Sequence, residues 1–184
     1  MSLQSWGETL ITTSIDGTAV TAAAATTLLP AAGKYTLPAN FFAVGKQLIV
    51  KASGRISSLI TTPGTARFDL RFGGTVVFDG LAILLDTVAG HTNVGWYLEV
   101  MLTCRAIGAS ANLMGQGTWA CEDLLGVPAT APKGVLSAIL PWNSAPAVGA
   151  NFDSTTTQQV DLFFTQTVAT GSVQLHQYSL ISPN

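Results

Sequence analysis

The sequence predicts an all-β protein: an antiparallel β-sandwich, jelly-roll-like, with a short extended N-terminal arm. Three observations carry this. Short runs rich in β-branched and aromatic residues recur along the whole chain, punctuated by Gly, Pro and Asn. Several of them alternate apolar with polar residues at every second position, the period of a half-buried strand. Helical composition is confined to one run, Ala22 to Ala25. About nine or ten short strands at this spacing imply two packed antiparallel sheets. An immunoglobulin-like sandwich is the alternative, although its Cys-Trp-Cys arrangement is missing.

Residues 1–13 read as the arm, and residues 14–184 as a single sandwich domain, the length being too short for two full domains. Leu3, Trp6 and Leu10 give the arm an apolar content that docking onto a neighbouring chain would bury. A strand is expected at Leu10 to Ile15. Propensity alone makes a helical turn or two of the Ala run within Thr18 to Leu29. The surrounding Thr residues and Pro30 favour a strand or an irregular crossing instead.

Strands follow at Lys34 to Leu37 and across Gln47 to Thr61, the latter either one bent strand or two in succession about Gly54. Thr62-Pro63-Gly64 is a turn in which Pro sets φ and Gly supplies the left-handed position. Thr65 to Asp79 is the clearest hairpin. Phe68, Leu70 and Phe72 alternate with Arg67, Asp69 and Arg71, and Gly73-Gly74 supplies a two-residue primed turn before Thr75-Val76-Val77-Phe78.

Ala82 to Leu85 adds a short strand. Trp96 to Arg105 places Trp96, Leu98, Val100, Leu102 and Cys104 on one face, with Leu113 to Cys121 as its partner. In that partner Gly115 and Gly117 mark a bulge or a close backbone approach. Gly126 to Gly134 and Pro141 to Asn151 read as loops, and Val160 to Thr167 and Ser172 to Ile181 as the last strands. If the two cysteine-bearing strands pair about Ala106 to Asn112, Cys104 and Cys121 lie about eight residues apart on the ladder. That is more than about 20 Å, far beyond disulfide reach, so two reduced, mostly buried thiols are expected.

Charge is the most unusual feature of the composition. Only 10% of the 184 residues are charged, eight basic and ten acidic, against about 25% in an average globular chain. The mean hydropathy is nonetheless positive, +0.42. A folded monomer of this mass exposes roughly 8,400 Å², over which so few ions are thinly spread. The remainder is expected to face other protein chains. A net charge of −2 supplies no basic field, so no nucleic-acid partner is expected. The N-terminus lacks a cationic start and an apolar core, and the longer uncharged stretches contain Pro or are rich in Gln, Ser and Thr. Neither a secretory signal nor a membrane span is therefore expected.

No pattern of catalysis stands out. His91 and His176 lie in distant segments, one in a polar turn and one on a polar strand face, so no metal or other cofactor is expected. No Ser or Cys occupies a nucleophile elbow, and the Gly-rich pieces lack the lysine of a phosphate loop. Asp69, Asp79 and Asp86 fall in neighbouring strands and could form an acid–base pair or a calcium site, but Arg67 and Arg71 flank Asp69, which makes a solvated cross-strand charge ladder the simpler account. Trp142, in the Leu140-Pro141-Trp142-Asn143 loop, is either an exposed platform for a sugar ring or an interface anchor. The chain is expected not to be an enzyme.

The runs Gly33-Lys34-Tyr35-Thr36-Leu37-Pro38-Ala39-Asn40-Phe41-Phe42, Val44-Gly45-Lys46, Ala52-Ser53-Gly54-Arg55-Ile56 and Thr62-Pro63-Gly64-Thr65 resemble a family of virion structural proteins of tailed bacteriophages. Leu102-Thr103-Cys104-Arg105, Leu113-Met114-Gly115-Gln116-Gly117, Phe152-Asp153-Ser154 and Gln174-Leu175-His176-Gln177-Tyr178 extend the likeness nearly to the C-terminus. The resemblance implies a capsid decoration protein, a homotrimer on the exterior of the phage head whose partners are its own copies and the major capsid protein. Leu3, Trp6, Leu10 and Trp142 are then the interface residues to examine. The alternative it leaves open is a trimeric receptor- or glycan-binding fibre or tail protein. It carries no catalytic residues over.

Overall fold

Twelve strands and one 3-10 turn are present in the structure, a computed structural model that describes residues 7–125 and 135–183, apart from the side chain of Leu124. In chain order the elements are β1 (Gly7–Thr12), β2 (Ala25–Thr27), η1 (Ala31–Gly33), β3 (Tyr35–Leu37), β4 (Gln47–Ser58), β5 (Thr65–Phe72) and β6 (Thr75–Asp79). They continue with β7 (Ile83–Leu84), β8 (His91–Ala106), β9 (Asn112–Leu125), β10 (Val135–Leu140), β11 (Gln158–Gln166) and β12 (Ser172–Pro183). Among the described residues no helix is long and apolar enough to cross a membrane.

The strands form two antiparallel sheets. The first runs β1-β12-β4-β8-β9-β10; the second runs β2-β11-β5-β6, with β3 on β11 and β7 on β5. The pairing follows one rule from the ends of the chain inward. β1 pairs with β12, β2 and β3 with β11, β4 with β8, and β5 with β6. The chain is in effect one long antiparallel ribbon, rolled so that β12 also meets β4 and β11 also meets β5. That is jelly-roll topology, with β9 and β10 extending the first sheet beyond β8.

The alternation visible in the sequence decides which side chains fill the space between the sheets. Trp96, Leu98, Val100, Leu102 and Cys104 of β8 are all buried, as are Phe68, Leu70 and Phe72 of β5. Phe68 is the hinge of the core. Its ring lies 5.1 Å from Trp96 and 5.0 Å from Trp119, both on the first sheet, and 5.1 Å from Phe164 on its own. A second aromatic group, Phe42, Phe72 and Phe152, closes one end. The Gly73-Gly74 turn forms as expected, with Phe72 opposite Thr75 and Gly73 at φ 57°.

Two segments differ from expectation, and two readings left open are decided. Val135–Leu140 is a strand, which no apolar/polar alternation announced. The Ala run ends in the three-residue strand β2, and Gln47 to Ser58 is one strand rather than two. Residues 7–12 of the expected arm form the edge strand β1, with Gly7 opposite Pro183 and Thr12 opposite Ser179 of the same chain. Gly115 marks a close approach, since a β-carbon there would meet the Phe78 ring.

Cys121 pairs with Trp96 and Cys104 with Leu113, so the two thiols stand eight ladder positions apart, free and buried. Burial raises both thiol pKa values, that of Cys121 up to about 12. We expect neither cysteine to react with a thiol reagent at pH 8 while the chain is folded, and both to react in urea. Because the Cys121 value is raised on folding, its contribution to stability is complete below its ordinary value of 9.0 and is lost as pH rises toward about 12. A pH series of urea midpoints checks this.

Candidate functional site

The outer faces of the two sheets differ in how their charges are arranged. On the second sheet the side chains pointing outward from β5, β6 and β11 form an ion network. Lys34 Nζ lies 2.6 Å from Asp161, Arg71 binds Asp69, and Arg67 lies 3.4 Å from Asp69 and 3.0 Å from Asp79. Thr27 donates its hydroxyl to Asp161 at 2.6 Å, and the Arg71 guanidinium covers the Phe163 ring at 3.9 Å. The expected solvated ladder is corrected in one respect. Asp69 is wholly buried, because the two arginines flanking it in sequence fold over it. Hydrogen bonding to that carboxylate raises the pKa of Arg71 and keeps it firmly protonated.

This network uses six of the eighteen charged side chains and cancels them against one another. The strands of the first sheet carry as many on their outer side, Glu8, Lys51, Arg55, Glu99, Arg105 and Glu122, of which only Lys51 and Glu99 pair with each other among the described residues. Across β8, β9 and β10 its outer face exposes Tyr97, Met101, Leu136 and Ile139, with Ala120, Thr118 and Gln116 between them. Tyr97, Glu99, Met101, Gln116, Thr118 and Ile139 line one recess, and Tyr97, Ala120, Glu122 and Leu136 stand around the next. The only ion pair on this stretch is Lys51 with Glu99 at 3.3 Å, to which Tyr97 adds a hydroxyl donor at 2.6 Å. Burial, then that hydrogen bond to Glu99, lifts the Tyr97 phenol to about 12.

β10 is also a free sheet edge. Among the described residues it pairs only with β9, its sequence Val-Leu-Ser-Ala-Ile-Leu carries no charge, and Val135, Leu136 and Ile139 are 42%, 60% and 59% exposed. Edge strands that stay solitary are normally guarded by charge or proline. Within β10 neither is present.

The residues expected at an interface are placed as follows. Leu3 and Trp6 lie outside the described residues. Leu10 sits in β1, half-buried against the core. Trp142 is also half-buried against the core, its backbone N–H bonded to the Gly80 carbonyl at 2.9 Å. The β8–β10 face adds exposed apolar residues that the sequence did not single out.

A second cluster gathers three segments at one end of the sandwich. Asp86 follows β7, His91 opens β8, and Asp123 lies near the end of β9. His91 Nε2 is 3.1 Å from Asp86 Oδ2 and 3.9 Å from Asp123 Oδ1. Ser58, at the end of β4, donates its hydroxyl to Asp123. Burial opposes the charged form of Asp86, but hydrogen bonds from Val88 and His91 outweigh it and hold its pKa below the ordinary value. His176 pairs instead with Asp16 at 3.0 Å on the surface.

No family model matches the chain, and no curated protein matches it. Among solved structures it is similar to the CBM2 module of Lactobacillus casei BL23 phage J-1 evolved Dit, at 9% identity and a TM-score of 0.34, over 88% of this chain and 76% of that one. The fold assignment rests on the strand order described above, not on this likeness.

Sequence reasoning missed both features for physical reasons. The β8–β10 face depends on β10, whose apolar residues point both ways and so hide the strand period. The Asp86, His91 and Asp123 cluster joins positions up to 37 residues apart, and only the β4–β8–β9 pairing brings them together.

Proposed function

We propose that this chain is a structural subunit of a tailed-phage virion, a capsid decoration protein that assembles as a homotrimer on the head exterior and acts by binding rather than turnover. The observation that supports it best is the uncharged, open β10 edge with the exposed apolar side chains of Met101, Leu136 and Ile139, on a chain whose other sheet has already neutralised a third of its charges. Burying that edge is worth about 25 cal/mol per Å² of apolar surface. Covering it with a sister subunit removes an aggregation liability and creates an assembly at the same time. Three linked subunits then hold the major capsid protein by avidity, each later contact being intramolecular. The sequence resemblance points the same way.

Light scattering and mixing with undecorated expanded heads test this reading. A trimer that binds heads saturably and raises their heat resistance supports it. A stable monomer at micromolar concentration overturns self-assembly, and binding to host cells or glycans without binding to heads favours the fibre or tail reading instead. The double variant Leu136→Asp, Ile139→Asp is expected to be folded but monomeric. Both side chains are exposed within the chain, while each loses about 1.5–3 kcal/mol of burial in an assembly and brings in an unpaired charge. Sedimentation against the parent protein reads the outcome.

A further inference from the structure

We propose that Asp86, His91 and Asp123 form a binding site for one divalent transition-metal ion of the zinc class, which staples the ends of β4, β8 and β9 together. This goes beyond the assembly reading and does not depend on it.

The geometry is suited to an ion. One ligand atom from each residue lies within 4.8 Å of the other two, and the measured His91 Nε2 separations are 3.1 and 3.9 Å. Ligands about 2.0–2.2 Å from a tetrahedral zinc stand about 3.3–3.6 Å apart, so shifts of a few tenths of an ångström bring both His91 separations to that range, and the two carboxylate ligand atoms already lie within 4.8 Å of each other. Those shifts are small because the carboxylates are already oriented from behind. The Val88 N–H holds Asp86 Oδ1 at 2.7 Å, the Asp86 N–H holds Asp123 Oδ1 at 3.1 Å, and Ser58 holds Asp123 Oδ2. Such outer partners fix ligand orientation in metal sites.

Charge supplies an independent reason. Asp86 and Asp123 are 2% and 0% exposed, and among the described residues no Lys or Arg pairs with either, the His91 imidazole being the one side chain there that could bring a positive charge to them. The other donors to the two buried carboxylates, the Val88 and Asp86 N–H groups and the Ser58 hydroxyl, are neutral, so the pair is opposed by at most one positive charge. A divalent ion cancels both. The imidazole selects the class, because calcium and magnesium prefer oxygen ligands throughout, whereas zinc accepts nitrogen and carboxylate together. The ion binds through the lone pair of unprotonated Nε2, so acid competes with it. The His91 side chain keeps 19% exposure, an opening through which the ion enters and water completes its coordination.

Calorimetric titration of the metal-stripped full chain with zinc chloride tests this, alongside thermal unfolding and the visible spectrum with cobalt(II) as the probe. One equivalent per chain at micromolar affinity or better is expected, with a higher Tm and cobalt bands reporting nitrogen–oxygen coordination. His91→Gln, at a partly exposed position, is expected to keep the fold, weaken binding by about tenfold or more and abolish the cobalt bands. Asp123→Asn, with folding checked by circular dichroism, is expected to do the same, and His176→Gln to change nothing. Absence of saturable binding to the folded parent up to about 1 mM zinc, or binding that survives His91→Gln or tracks His176, overturns the proposal. Light scattering of the same samples with and without chelator keeps this outcome separate from that of self-assembly.

Discussion

Phe68→Ala is expected to cost about 5 kcal/mol and leave the chain at or near the edge of unfolding. A buried Phe→Ala change costs about 3–5 kcal/mol through lost transfer energy and the cavity left behind. Phe68 belongs at the top of that range. It is 2% exposed and its ring touches Trp96, Trp119 and Phe164, so the deletion removes three aromatic contacts at once. Each is worth about 0.5–1.5 kcal/mol beyond area. Two of the three bridge the sheets, and the layers cannot close over the cavity without moving Trp119, which is itself 1% exposed. Domains have only about 5–15 kcal/mol of net stability. Phe68→Leu, which keeps most of the volume, should cost about 1.5 kcal/mol or less. Urea titrations followed by tryptophan fluorescence at one fixed protein concentration compare the two; a Phe68→Ala midpoint close to that of Phe68→Leu would show that the aromatic cluster is not what joins the sheets.

The contrast between Phe68 and Asp69 shows what could be read from sequence. Strict alternation through Thr65 to Phe72 gave each residue its side of the sheet, and the core side was assigned correctly. Alternation says which face a residue takes, but not how deeply it sits there. Asp69 faces away from the core and is still wholly buried, because Arg67 and Arg71 close over it and Phe163 lies beside it in the ladder. The cysteine separation was legible for the same reason as the core: a hairpin register converts sequence distance into ladder distance. β10 was not, since Leu136 and Ile139 remain exposed while Ala138 and Leu140 are buried, so both faces of the strand are apolar. A strand of that kind carries no periodic signal. It is also the kind of strand that an assembly covers.

The Asp86, His91 and Asp123 cluster failed to show itself for a further reason. Metal and acid–base motifs are recognisable when their spacing reflects one local element, such as two ligands a helical turn apart. Here one ligand follows β7, one opens β8 and one ends β9. The spacing is set by where the rolled ribbon places strand ends, and sequence distance carries none of that information.

Gly54→Val is expected to disrupt the ribbon itself, at about 3–5 kcal/mol. Gly54 lies in β4, the strand that β12 and β8 flank on either side, opposite Leu175 on one neighbour and Trp96 on the other. A β-carbon at this position would run into the carbonyl oxygen of Gln174 and stand 2.9 Å from its carbonyl carbon and 3.1 Å from the Leu175 Cα. These are backbone atoms, so no rotamer change relieves the clash, and the strand pair must part. The β12 register shift between Leu175 and Gln177 lies beside this contact, which makes the approach part of how β12 bends against β4. Gly74→Ala is the matched control. Nothing lies within 4 Å of a β-carbon there, and a change within about 0.5 kcal/mol is expected. Equal urea midpoints for the two variants would mean that β12 can leave β4 locally at little cost. The β12–β4 contact would then not be the seam that holds the rolled ribbon closed.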